Sequence, residues 1–148
     1  MEKFKVRLME PEDFNDVLAI DEKVNKVRRE EYYKLKFEKL VKSGDYVPTS
    51  LVAEDENGKI VGFIMGELFI GEYGISEDRA KLDTIGVDPE YQNKGIGQLL
   101  LKEFMQHLKS LGVEKISTLV DWNDIELIKF FSANNFEPSK TIHLELKI

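Results

Sequence analysis

Apolar residues recur along this chain in two periods, and each change of period marks an element. Phe4, Val6 and Leu8 alternate with Lys5 and Arg7, the period of a half-buried strand. Pro11, Glu12 and Asp13 then read as a helix start, followed by a helical stripe of Phe14, Val17, Leu18 and Ile20. A charged stretch, residues 26–31, leads to a second helix with Tyr32, Leu35, Leu40 and Val41 as its expected apolar face, ended by Ser43, Gly44 and Asp45. Residues 50–55 and 60–65 read as strands joined through Asn57-Gly58, a strong hairpin signal, and the second strand could run on to Ile70. Residues 71–78 read as a loop and 80–87 as a strand.

The second half continues in the same manner. A helix is predicted over 95–111, with Leu99, Leu100, Phe104, Met105 and Leu108 on one face and Gly112 as its stop. A strand over 115–120, a helix over 125–133 and a final alternating strand over 142–148 complete the chain. Asp121 to Asp124 offer side chains to cap the last helix. The order β-α-α-β-β-β-α-β-α-β predicts one domain over residues 1–148. Its fold class is α/β (α+β), a mixed sheet covered by helices.

Composition narrows the chemistry. A chain of 148 residues is long enough for a sizeable core, and without cysteine it has neither a disulfide framework nor a thiolate nucleophile. The first seven residues alternate charged and apolar side chains and do not read as a signal peptide. No apolar run approaches the roughly 20 residues that span a bilayer. A soluble cytoplasmic protein with no membrane partner is expected. The net charge of −7 argues against nucleic acid and is compatible with an amine substrate, although acidity also serves solubility. His107 reads as an exposed helix residue and His143 as outward-facing, with no metal-ligand spacing between them, so no metal site is expected.

One stretch carries specific chemistry. Residues 82–87 form a short β-branched run, Asp88-Pro89 stops it, and Gln92-Asn93-Lys94-Gly95-Ile96-Gly97 leads into Gln98 and the next helix. Gly95 and Gly97 remove two Cβ atoms where helix N–H groups lack intrahelical partners and carry the positive dipole end, which favours a phosphate. The spacing is neither that of a P-loop nor that of a dinucleotide-binding fingerprint.

This stretch resembles the acyl-CoA signature of the GNAT superfamily of N-acetyltransferases, in which Gln92, Gly95 and Gly97 fall on the signature positions. The resemblance implies a GNAT-like sheet, mostly antiparallel, flanked by helices and split beside the CoA-binding strand. It implies acetyl-CoA as co-substrate, the pyrophosphate held by Gln92, Asn93, Lys94, Gly95, Ile96, Gly97 and Gln98, and the pantetheine arm held by Ile85, Gly86 and Val87. The oxyanion donor implied is the Val87 main chain. A weaker resemblance follows the pattern Val-x-x-x-Asn-x-x-Ala-x-x-Phe-Tyr-x-x-x-Gly-Phe. Val120, Phe130 and Phe136 keep it, while Asp124, Leu127, Phe131 and Asn135 replace its Asn, Ala, Tyr and Gly. Asp124 and Phe131 are thereby implied CoA contacts.

Phe131 has no hydroxyl, so it cannot protonate a departing thiolate as the Tyr does in many relatives. Tyr32, Tyr46 and Tyr73 are alternative acids, each also readable as a packing residue, and solvent is another source because a thiolate leaves readily. Asp83, on the strand of Val87 and four residues before it, is the first candidate for the base that takes the amine's proton. A structural carboxylate is the competing reading there, and Glu67, Glu72 and Asp121 are reserves. Leu119 occupies a position that holds Glu in some relatives. Trp122 is read either as packing or as part of an acceptor pocket, and Glu30, Glu31 and Glu72 either as amine-attracting or as a solvated face. The expected reaction is direct attack of a primary amine, small or on a protein, in a ternary complex. An acyl-CoA-binding regulatory module without transfer is the alternative, and a homodimer is left open.

Overall fold

In the computed structural model, which describes residues 3–43, 47–68 and 79–148, the strands form one five-stranded sheet in the order β1-β2-β3-β4-β5. The strands are β1 Lys5–Leu8, β2 Leu51–Glu54, β3 Ile60–Leu68, β4 Arg79–Val87 and β5 Lys115–Thr118. The first three pairings are antiparallel and β4 pairs with β5 in parallel, so the sheet is mixed and mostly antiparallel, as expected. The helices are α1 Phe14–Asn25, α2 Glu30–Phe37, α3 Ile96–Ser110 and α4 Ile125–Ala133. The chain divides into two units, residues 1–118, which hold the whole sheet, and residues 119–148.

In the first unit the helices lie on opposite faces of the sheet. A Cβ on Gly62 would lie 3.0 Å from Leu100 Cδ1 and 3.1 Å from Ile96 Cγ2, and one on Gly66 would lie 2.5 Å from Phe104 Cζ. Those two glycines, four residues apart on β3, therefore let α3 lie directly against the strand. Phe63 and Met65 point the other way, into a core with Val17 and Leu18 of α1 and Tyr33 and Phe37 of α2. Tyr33 meets Phe63 edge-on at 6.1 Å.

Local chemistry fixes where these elements begin. The side chain of Asp13 accepts from the Glu10 N–H at 2.7 Å and from both Nη atoms of Arg7 at 2.9 Å, which ties the entry of α1 to β1. Lys26 takes φ of 63° and ends α1, leaving the charged break expected before α2. Between β2 and β3 the Asp55 carboxylate accepts the N–H groups of Asn57 and Lys59 at 2.9 and 3.0 Å, which closes the predicted Asn-Gly hairpin.

The buried face at α2 and the turn after it agrees with the one expected except at Leu35. Leu40 is buried and Tyr32 and Val41 pack against the core as expected, Tyr33 and Phe37 are buried with them, and Leu35 is 71% exposed. Residues Glu38–Lys42 are a π-helical turn, and Tyr33, Phe37 and Leu40 keep the i, i+4, i+7 spacing of one helix face. The helix stop at Gly44 and Asp45 and the loop 71–78 lie outside the described residues, as does any extension of β3 to Ile70.

In the second unit α4 is capped by Asp124, whose Oδ1 accepts the Leu127 N–H at 3.2 Å. The Phe131 ring meets Phe130 at 5.4 Å and Phe136 at 4.9 Å. The expected final strand is not formed: among the described residues no strand pairs with residues 142–148, and Ile142, Leu144 and Leu146 are 81, 80 and 85% exposed. Period-two alternation marks an amphipathic ribbon, but a strand also needs a ladder partner for its N–H and C=O groups. Of the two readings of Trp122, packing does not fit a residue that is 94% exposed.

Candidate functional site

The strand β4 is paired on one side from Ala80 to Val87, with Asp83 left out, and on the other along less than half of its length. On the β5 side the register runs from Arg79 opposite Lys115 to Leu82 opposite Thr118 and stops there. Thr118 Oγ1 donates to Leu82 O at 2.9 Å, closing the end of the parallel pairing. Among the described residues no strand pairs with that edge from Asp83 onward, so β4 and β5 part at this point.

The main-chain groups available at that edge follow from one hydrogen bond. Asp88 N–H donates to Val61 O at 2.8 Å, so Asp88 turns its polar groups toward β3. In an antiparallel ladder successive residues alternate between facing the partner and facing away. Gly86, opposite Phe63, thus turns toward β3, whereas Ile85 and Val87 direct their N–H and C=O into the opening. Gly86 has a different structural task. A Cβ there would lie 2.7 Å from Phe63 Cε1, so the missing side chain makes room for the ring.

Beyond β4 the chain makes a 3-10 turn, Pro89–Tyr91, whose N-cap is Asp88. Asp88 is 2% exposed, and its carboxylate accepts the Glu90 N–H at 3.0 Å and the Lys23 ammonium of α1 at 3.0 Å. Burial works against its ionisation, but the Glu90 N–H and Lys23 outweigh burial and hold its pKa below the ordinary carboxylate value. Tyr91 is fixed from the other side, its hydroxyl 3.4 Å from Asp55 Oδ2 and its ring under Lys59 at 5.2 Å.

The loop that follows is exposed from Gln92 to Gly95. Asn93 takes φ of 64° and Gly95 φ of 79°, two left-handed residues around Lys94. Gly95 is the N-cap of α3 and no side chain caps that end. The first helical bond runs from Leu99 N–H to Gly95 O at 2.9 Å, so the N–H groups of Ile96 and Gly97 precede the intrahelical ladder. Nothing lies within 4 Å of the position a Gly95 Cβ would occupy. An open surface, an uncapped helix start and a positive dipole end together fit a phosphate group. The Ile96 side chain is in the core at 1% exposure, so only its main chain can take part.

Asp83 stands apart from this constellation. Thr84 is opposite Met65 and Leu82 opposite Gly66, which leaves Asp83 as the extra residue of a β-bulge. The bulge breaks the period-two rule that would put Asp83 and Val87 on one face. Val87 is opposite Gly62 and shares its α3 face, whereas Asp83 reaches Lys36 of α2 at 3.0 Å and Lys81 at 3.3 Å. Its side chain is 3% exposed, with one oxygen on each ammonium.

The other candidates are similarly engaged or set apart. Glu67 pairs with Lys39 at 3.0 Å. Tyr32 is half-buried, with Arg29 4.8 Å and Lys36 5.7 Å from its ring centre, and desolvation with the nearby Asp83 charge raises its pKa. Asp21 accepts from Tyr33, Arg29 and Asn25, and burial together with Asp21 drives the Tyr33 hydroxyl well above the usual phenol value. His107 Nε2 lies 2.7 Å from Pro48 O. Asp124 and Phe131 belong to the second unit, as helix cap and aromatic packing. Tyr46, Glu72 and Tyr73 are outside the described residues. Sequence reasoning missed Lys23 and Lys36, whose partners are remote in the chain, whereas Gly62 and Gly66 read as points of close packing, which they are. Among the described residues no three His, Cys, Asp or Glu side chains group to hold a metal, and no helix is long and apolar enough to cross a membrane.

The pattern of the acetyltransferase (GNAT) family matches residues 13–136. A mycothiol acetyltransferase of Propionibacterium freudenreichii subsp. shermanii is 33% identical over 91 residues, 62% of this chain and 28% of that protein. An acetyltransferase of Yersinia pestis (strain Pestoides F) is 23% identical over 140 residues, 95% of this chain and 92% of its own length. Among solved structures, an aminoglycoside N-acetyltransferase in complex with CoA superposes with a TM-score of 0.79 at 15% identity, covering 99% of this chain and 96% of the other. The ribosomal-protein-S18-alanine N-acetyltransferase of Escherichia coli gives 0.75 at 20% identity, covering 93 and 80%.

Proposed function

Because the chain belongs to the acetyltransferase (GNAT) family, we propose that it transfers the acetyl group of acetyl-CoA to a primary amine by direct attack in a ternary complex. The observation that carries this reading is the half-paired β4. Its free edge at Ile85 and Val87 runs straight into an open loop and the uncapped start of α3. The co-substrate supplies an activated thioester. Residues 92–98 hold its pyrophosphate through main-chain N–H groups, and the Ile85 and Val87 main chain binds the pantetheine arm as an added strand would.

Val87 N–H is the donor to the oxyanion that develops on the acetyl carbonyl. Attack forms the N–C bond and breaks the C–S bond. The amine's proton passes to water, and the sulfur leaves as a thiolate that solvent protonates. Asp83 acts in this reading as the counter-ion of Lys36 and Lys81, because both its oxygens are already held. Positioning of amine and thioester supplies most of the acceleration. Residues 1–148 work as one functional domain, placed in the cytoplasm.

Titration calorimetry with CoA and acetyl-CoA, followed by a thiol-release screen over primary amines, tests the proposal. Binding below millimolar concentration and acetyl-dependent thiol release are expected. Absence of binding overturns the acyl-CoA reading. Binding without release from any amine marks the chain as a binding module instead.

A further inference from the structure

We propose that the amine acceptor carries a carboxylate, which is received by Lys36 and Lys81. This rests on the acetyl-transfer reading above and goes beyond it in naming the acceptor's class. The argument begins with the two faces of the sheet. Ile96 and Leu100 pack over Gly62, so α3 begins on one face and the phosphate end of the donor belongs there. Phe63 points to the opposite face and meets Tyr33, so α2 lies on that side. A thioester brought to the free edge of β4 from the α3 side leaves the α2 side for the attacking amine.

Among the described residues, the charged groups on the α2 side at that place are unbalanced even with Glu67, which stands opposite Lys81 and pairs with Lys39. Lys36 and Lys81 share one carboxylate, that of Asp83, at 3.0 and 3.3 Å. Each ammonium has three donors and Asp83 uses one of each. The carboxylate is buried at 3% exposure, while the lysine side chains are 19 and 34% exposed, so a solute meets the cations rather than the anion. Arg29 adds no free charge, being held by Asp21 through both of its oxygens at 2.9 and 2.6 Å.

The bulge brings this pair to the point where β4 and β5 part. Asp83 is the residue after the last paired one, Leu82, and Val87, whose N–H meets the acetyl carbonyl in the reading above, is four residues further, roughly 13 Å along the strand. Hydrogen bonds at the two ends take up part of that distance, and an amine with several bonds between nitrogen and carboxylate, such as a dipeptide or a long ω-amino acid, spans the rest with its nitrogen at the acetyl carbon and its carboxylate on the lysines. An acceptor with further positive charge would instead be repelled by two ammonium groups in a partly dry site. The Lys36–Asp83–Lys81 cluster thus selects acids among amines.

Acceptor pairs differing only at the carboxylate provide the test: glycylglycine against glycylglycinamide, and 6-aminohexanoate against 6-aminohexanamide. In the thiol-release assay the acid of the best pair is expected to exceed its amide at least tenfold in kcat/KM. K36Q is expected to remove that preference by raising KM for the acid, leaving KM for acetyl-CoA within twofold, and K36R to restore part of it. K81Q provides the same comparison should K36Q not fold. Amides used as well as acids, or a preference that survives both glutamine variants, overturn the inference. Calorimetry of the wild-type protein with CoA separates the two readings: binding with no acid preference removes this inference alone, and no binding removes the acetyl-transfer reading with it.

Discussion

The contact between α3 and β3 makes a pair of glycine substitutions informative. At Gly62 an added Cβ would lie 3.0 Å from Leu100 Cδ1, 3.1 Å from Ile96 Cγ2 and 3.2 Å from Gly86 O. These are overlaps of a few tenths of an ångström, and the two methyl-bearing side chains can yield only by lifting the first turns of α3. At Gly66 the Cβ would lie 2.5 Å from Phe104 Cζ and 2.6 Å from Lys81 O, and no rotamer change moves a main-chain oxygen. Overpacking of this kind costs about 1–3 kcal/mol, so G62A belongs near the low end and G66A at or above the high end. The functional ranking is reversed. Ile96 is the first residue of α3, beside the loop proposed to bind pyrophosphate, whereas Phe104 is eight residues on, roughly 12 Å along the axis. G62A should therefore weaken CoA binding about fivefold, equivalent to about 1 kcal/mol, and G66A should do so less. Urea unfolding and calorimetry with CoA measure the two effects. If G66A proves the milder lesion in stability, or G62A leaves CoA affinity unchanged while G66A weakens it, the packing argument is wrong.

Three further outcomes are expected. G95E places a bulky anion at a left-handed residue with φ of 79° beside the phosphate site, and calorimetry should find CoA binding abolished; retained affinity removes the loop assignment. D83N should lower stability by leaving two ammonium groups without their anion, yet the pH dependence of thiol release should keep its shape. Loss of a limb in the carboxylate range would make Asp83 the base after all. Asp88 is held below its unfolded pKa of about 3.9, so its ionised form stabilises the fold above that value, and the contribution disappears as pH falls through the folded value. D88N should thus be less stable than wild type at pH 7, with the gap in urea midpoint closing toward pH 3; a constant gap refutes the assignment.

The elements most readable in the sequence are those whose signals are local. Asn57-Gly58 marked the hairpin, Asp88-Pro89 the end of β4, and Gly95 the N-cap of α3, each because the residue's own backbone preference decides the conformation. Of the expected face around α2 only Leu35 was misplaced, because Tyr33 and Phe37 take the centre of the stripe and no residue type announces which apolar side chains will do so. The bulge at Asp83 reversed a face assignment for the same reason, since it arises from the register of two strands. Residues 142–148 carry a strand's alternation without a strand's partner. In the candidate site the phosphate loop was legible, whereas Lys23 and Lys36 were not, their carboxylate partners lying 65 and 47 residues away.

The half-open β4 leaves a signature in solvent isotope exchange. Gly86 and Asp88 turn their amides into the ladder with β3, while the amides between them, those of Ile85 and Val87, face a gap. Without ligand, deuterium should enter at every second residue of this stretch, quickly at 85 and 87 and slowly at 86 and 88. An occupant bonded along the open edge would slow the fast pair and leave the slow pair unchanged. Four neighbouring amides thus form a built-in reporter of edge occupancy, readable without any knowledge of the acceptor.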